Sequence, residues 1–279
     1  MNKRFSRAVT FAIIGTVVSI LLRLIQICLF IDPESGFFYK GQIILGTATS
    51  VVIGITVIAA ALLCRLASKI PNKYAYKSKC IAPCEIFLAI AILYEAFVAA
   101  NNTSSPVWQI AVCKLLGIFA VIVLLLNALN RFINISFVKP QSNAVIAGFW
   151  LSRILVVFSA YSSVPTIADN VFELASLCMA LVFYLYYAEI LCGAALKPQK
   201  FFGVAVAAGM LCSIYSIPQI LLSALGKGNL LHNSTASTVS DAATVIFVGV
   251  VLACFFKSRV WPHIKEKNEP DAVEYNFNE

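Results

Sequence analysis

Eight apolar runs divide the chain, at about residues 7–31, 42–66, 82–101, 107–130, 143–163, 170–193, 202–224 and 241–257, and short polar stretches separate them. The hydrocarbon core of a bilayer is about 30 Å thick and takes roughly 20 helical residues to cross. Apolar helices of this length, so closely spaced, have no soluble arrangement that would cover them. The pattern therefore predicts an all-α polytopic membrane bundle of about eight transmembrane helices, with residues 1–256 forming a single unit. The eighth run is the shortest, and predicts a helix that is less tilted than its neighbours or only partly inserted. After it, residues 257–279 are charged and interrupted by Pro262 and Pro270, and read as a short cytoplasmic tail.

The basic residues add direction to this pattern. Lys3, Arg4, Arg7, Arg65, Lys69, Lys73, Lys77, Lys79, Arg131, Lys139, Lys197, Lys200 and the four in the tail all fall at one side of the alternating runs, whereas Lys40 and Lys227 alone fall at the other. The positive-inside rule then places both termini in the cytoplasm of a cell-membrane protein. The formal net charge of +8 becomes a topological signal that meets anionic headgroups, and nucleic acid is not expected as a partner. Phe37, Phe38, Tyr39 and Trp108 fall at the outer boundary and Phe201, Phe202 and Trp261 at the inner one, as aromatic belts. The first run is too long for a signal peptide, is interrupted by Arg23, and precedes no small-x-small cleavage site, so it reads as a retained helix.

Ionisable residues within the runs carry the functional information, because a charge at the bilayer centre costs about 2.5–3.5 kcal/mol on insertion scales and so faces a partner or water. They are Arg23, Glu85, Glu95, Lys114, Arg153, Glu173 and Glu189. Glu85, Glu173 and Glu189 lie near the boundaries, where headgroups and loop water are expected to solvate them. Arg23, Glu95, Lys114 and Arg153 lie deeper, within reach of pairs such as Arg23 with Glu95 or Lys114 with Glu95. Three cations face one deep carboxylate, so the surplus is to be met by Glu173, by Asp32, Glu34, Asp169 or Asp241, by backbone carbonyls, or by a small anionic ligand in a polar cavity lined by Arg23, Gln26, Glu95, Lys114 and Arg153. The structural alternative is that Arg23 and Lys114 snorkel outward and leave a pair that only fixes helix register. Thr16, Ser19, Arg23 and Gln26 recur at steps of three and four, one polar stripe along the first helix. Glu173, Ser176, Tyr184 and Tyr187 make another on the sixth, and Ser213, Ser216 and Gln219 a third on the seventh. Pro218 removes a backbone donor from that seventh helix and predicts a kink. Gly46, Ser50 and Gly54, four apart, form a small-residue face for helix packing.

Two further patterns bear on relationship. Arg23 and Arg153 lie 130 residues apart, each in the first span of a four-helix half, as a four-plus-four parallel duplication would place them. The first external loop, Asp32-Pro33-Glu34-Ser35-Gly36-Phe37-Phe38, resembles the D-P-x-[ST]-G-F-F loop of uncharacterised multi-pass membrane proteins of Gram-positive bacteria, a resemblance that brings no activity with it.

Catalytic chemistry is not signalled. The chain has two histidines, no HExxH, GxSxG or P-loop motif, and no paired intramembrane aspartates. Glu85 and Glu95 project about 80° apart on a helix, too far round to share a proton. Neither a cofactor nor a metal is expected: Cys80 and Cys84 stand four apart without a second pair or a nearby histidine. The sequence thus predicts an integral membrane protein that is not an enzyme. It is either a small-molecule permease or ligand-binding protein, or else a sensor, scaffold or assembly partner that docks another membrane protein.

Overall fold

The computed structural model describes residues 3–32, 34–67, 78–98, 106–133, 139–161, 168–192, 198–231 and 238–260. Among them run eight α-helices: α1 (Lys3–Leu29), α2 (Ile43–Ala67), α3 (Ala82–Val98), α4 (Val107–Ile133), α5 (Ala144–Tyr161), α6 (Ala168–Leu191), α7 (Pro198–Ala224) and α8 (Val239–Val260). Seven of these are long and apolar enough to cross a membrane, and the apolar part of α8, Val239–Cys254, is shorter. The chain is an all-α polytopic integral membrane protein. Lys69, Lys73, Lys77, Lys197 and the tail beyond Val260 lie outside the described residues.

Helix is the outcome even where local propensity opposes it. α2 is rich in Val, Ile and Thr, and holds two glycines. These residues are mediocre helix formers in water. In lipid, each span must satisfy its own backbone donors and acceptors, and that requirement overrides propensity. Ile13, Ile14, Val17 and Leu21 on α1 and Ile44, Val51, Ile55 and Ile58 on α2 point outward, as a lipid-facing surface requires.

Helices α3 to α8 close a ring in which each packs on the next and α8 returns to α3, while the α1–α2 hairpin lies outside the ring against α7. α7 therefore touches α1, α2, α6 and α8, and is the span with the largest buried share. Its sequence permits this: Gly203, Ala205, Ala207, Ala208 and Gly209 keep its girth small. A side chain at Gly203 would stand 3.1 Å from the Ala61 carbonyl oxygen, and one at Gly209 3.2 Å from Val248. Under a four-plus-four duplication α3 would be the counterpart of α7, yet its principal helix neighbours are α4 and α8 only, so the two halves do not share equivalent surroundings.

The first connection is a compact turn. Asp32 N–H donates to Phe37 O at 2.8 Å and Gly36 N–H to Asp32 O at 2.8 Å, with Gly36 at φ 73°, where glycine is favoured. The Ser35 hydroxyl donates to Asp32 Oδ2 at 2.7 Å. The turn aims the Phe38 ring at Gly46, where a Cβ would lie 2.5 Å from it. Gly46 thus accommodates an aromatic side chain of its own connection. Ser50 faces α1, and a Cβ on Gly54 would meet nothing within 4 Å, so the small-residue face of α2 is shared among different surroundings.

An aromatic column fills the ring. Trp150 stacks on Tyr184 with centroids 5.6 Å apart, Tyr184 on Phe247 at 5.9 Å and Phe183 on Phe201 at 5.6 Å. Edge-on contacts join Phe149 to Trp150 and Tyr187 to Phe247. Rings in such offset and T-shaped pairs add about 0.5–1.5 kcal/mol each beyond their buried area.

Candidate functional site: a buried charge network

Arg23 is 1 % exposed, so its guanidinium must be met inside the protein. It donates to Asp169 Oδ1, in the first turn of α6, and to Gln26 Oε1 one turn along α1. Its flat face lies 4.3 Å from the centre of the Phe172 ring. Gln26, held by that contact, donates its amide to the Gly46 carbonyl at 2.8 Å and to Ser50 Oγ at 2.7 Å. One arginine and one glutamine thus tie α1 to both α6 and α2.

Arg153 makes a second centre. Its Nε pairs with Glu95 of α3, one terminal nitrogen donates to Ser240 Oγ at 2.9 Å, and the other to Asp241 Oδ2 of α8 at 3.0 Å. Ser240 in turn donates to Glu95. Trp150, one turn away on α5, lies 5.2 Å beneath the guanidinium. The forked arginine head can address two carboxylates at once, which an ammonium on a flexible stem cannot do as rigidly. Cys212 of α7 closes the back, with its thiol 3.9 Å from Asp241 Oδ1.

Glu173 joins the two centres. It is 1 % exposed on α6, lies within electrostatic reach of Arg153, Asp241 and Asp169, and has Tyr215 of α7 beside it. Among the described residues, the layer holds two buried guanidiniums, Arg23 and Arg153, and four buried carboxylates, Glu95, Asp169, Glu173 and Asp241. Asp169 and Asp241 stand in the first turns of α6 and α8, where the positive helix ends favour a carboxylate.

This arrangement differs from the sequence expectation in its sign. Arg23 meets Asp169 rather than Glu95, and Glu95 meets Arg153. Lys114 is half-buried on α4. Even when it is counted with the arginines, four carboxylates outnumber three cations, reversing the balance from which an anionic ligand was expected. Glu173, expected at a solvated boundary, is enclosed, and so is Glu85. Glu85 accepts two hydrogen bonds of 2.9 Å from Arg131, which also donates to the Tyr187 hydroxyl at 2.8 Å. That pair lies at the opposite end of the aromatic column.

The polar stripe of α1 does face inward, as Ser19, Arg23 and Gln26 are all buried. On α7 the hydroxyls turn back on their own helix: Ser213 donates to the Gly209 carbonyl and Ser216 to the Cys212 carbonyl, each at 2.6 Å. Pro218 lies inside α7, which continues to Ala224. Two buried polar atoms near the layer, Trp150 Nε1 and Gln219 Oε1, lack a hydrogen-bond partner, an arrangement that is unusual for interior groups. Among the described residues, no three His, Cys, Asp or Glu side chains are grouped to hold a metal ion.

No family model, curated protein or solved structure matches the chain. The functional reading therefore rests on the geometry of this layer.

Proposed function

We propose that the protein is a small-molecule permease of the cell membrane, with the Arg23–Asp169–Glu173–Arg153–Asp241–Glu95 layer as its recognition and coupling centre. The observation that carries this reading is the excess of at least one buried carboxylate within the span of a membrane protein. An isolated buried charge costs several kcal/mol, and a charge in the bilayer about 2.5–3.5 kcal/mol, so the layer reaches neutrality by taking up a positive charge. That charge is a proton or the cationic group of a solute, in place of the anion expected from the sequence. Trp150 Nε1 and Gln219 Oε1 add a donor and an acceptor for such a solute. On the positive-inside assignment, which belongs to the same proposal, both termini are cytoplasmic and the layer sits in the outer half of the membrane. The aromatic column then separates it from the cytoplasm, and Pro218 gives α7 a point about which to bend.

The test is reconstitution of wild type and Glu173→Gln into liposomes carrying a luminal pH dye, with a panel of amines, amino acids and other small cations outside. The expected result is uptake of at least one compound by wild type, coupled to a change in luminal pH, and loss of that coupling in the variant. If no compound and no proton moves with a monodisperse, folded wild type, the permease reading fails. The layer would then be a set of structural ion pairs in an assembly component.

A further inference from the structure

We infer that a groove between α2, α6 and α7, at the end of the bundle that holds the chain termini, is a binding site for one anionic phospholipid. The groove has a volume of about 340 Å³. Its mouth is polar: Arg65 in the last turn of α2, Lys200 in the first turn of α7, and Tyr186 of α6. Its floor, formed by Met179, Val204 and Ala207, runs about 10 Å deeper, at 1.5 Å per residue over the seven residues from Lys200 to Ala207 or from Tyr186 to Met179. Polarity at the helix ends and an apolar channel toward the membrane centre match a phosphate headgroup with the start of its acyl chain.

Three sources of positive potential converge at the mouth. Arg65 and Lys200 are exposed there, and α7 begins at Pro198, so its amino-terminal amides and dipole add to them. Tyr186 supplies a hydroxyl donor. Glu189, one turn further along α6, is exposed but does not line the groove. Gly203 sets the geometry: because it lacks a side chain, α7 comes within contact of the Ala61 carbonyl and the Arg65 stem, which places both cations over one opening. Basic pockets between transmembrane helices at this depth favour anionic headgroups. A second groove, lined by Ala12, Val17, Phe202, Met210 and Val248 among others, has no charged side chain, and so selects no headgroup. The inference rests on neither the permease reading nor the orientation of the chain.

Native mass spectrometry of the purified protein, with phosphatidylglycerol and phosphatidylcholine of the same acyl chains in competition, tests the site. Two basic groups, each contributing about fivefold, predict a preference for one phosphatidylglycerol of roughly 25-fold. Arg65→Gln/Lys200→Gln should abolish the preference, and Arg65→Lys/Lys200→Arg should keep most of it. Glycerol phosphate alone, which offers the charge without the chain, should not compete. Equal binding of the two lipids by wild type overturns the proposal, as does a full preference in the charge-removed variant. Effective competition by glycerol phosphate or inorganic phosphate also overturns it, in favour of a soluble-anion site. The wild-type comparison needs no variant, so a misfolded double substitution does not rescue the idea.

Discussion

Substituting Asp169 by leucine isolates the energetics of the charge layer. Both partners of the Arg23–Asp169 pair are enclosed, with side-chain exposures of 1 % and 2 %. Removing one member of a buried pair costs about 3–5 kcal/mol because the other charge stays behind unpaired. The insertion penalty for an arginine, about 2.5–3.5 kcal/mol at the membrane centre and less toward the interface, is an upper figure of similar size by a separate route. Gln26 and the Phe172 face remain to Arg23 and hold the loss near the lower end, so about 3 kcal/mol is expected for Asp169→Leu. Arg23→Met leaves Asp169 at a favourable helix terminus, and about 2–3 kcal/mol is expected. The double variant replaces the pair with apolar groups of similar size and should lie within about 1 kcal/mol of wild type. The coupling energy is then at least about 4 kcal/mol, above the usual range for neighbouring residues. Reversible unfolding in mixed micelles titrated with dodecyl sulfate, followed by circular dichroism, measures all four proteins. An Asp169→Leu variant within 1 kcal/mol of wild type, or a double variant no better than the sum of the singles, would refute the claim that this pair is closed and desolvated.

Other consequences are open to direct measurement. Gly46→Ala should destabilise by about 1–3 kcal/mol, because its Cβ meets the Phe38 ring at 2.5 Å. Gly54→Ala, which meets nothing within 4 Å, should be neutral or should stabilise by up to about 1 kcal/mol through helix propensity; the same micelle titration reads both. Arg131→Lys should lose about 1–3 kcal/mol despite keeping its charge, since one ammonium cannot reproduce the two 2.9 Å bonds to Glu85 and the one to Tyr187. A charge-conserving swap with no measurable loss would mean that the fork is not formed. With the termini in the cytoplasm, a membrane-impermeant maleimide should label Ser35→Cys in intact cells and reach Cys80 only after permeabilisation; the reverse order would invert the topology.

The spans were legible because lipid imposes one rule on the whole chain: an uninterrupted apolar run of membrane length becomes a helix. Arg23, Glu95 and Arg153 were legible as buried groups for the same reason, since a charge inside such a run stands out. Asp169 and Asp241 stood among several carboxylates that could meet the surplus cations, but which arginine each would pair with, and that both would be buried, was not legible. Asp169 and Asp241 sit at the starts of α6 and α8, positions that in a sequence look like solvated helix ends. Burial there depends on how neighbouring helices overhang them, which spacing does not encode. A signal was nonetheless present: each deep arginine requires a carboxylate at its own depth, and acidic residues in the first turns of helices entering from that side are the natural suppliers. The hub position of α7 was similarly hidden. Its run of Gly and Ala hints at close packing, but the identity of its four neighbours is a property of the assembled ring.

The pairing of Arg23 with Asp169 across 146 residues also sets a schedule for biogenesis. α1 leaves the ribosome well before α6 and α7, yet its counter-charge arrives with the sixth helix and its second packing surface, after α2, with the seventh. During that interval the hairpin has Gln26 bridging to Gly46 and Ser50 as its own internal tie, while the guanidinium awaits a mate. A chain truncated after α5 should consequently be a substrate for membrane quality control, and one truncated after α7 should persist longer. Pulse-chase lifetimes of nested truncations would show whether the protein is built in chain order or held open until its late helices clamp the early ones in place.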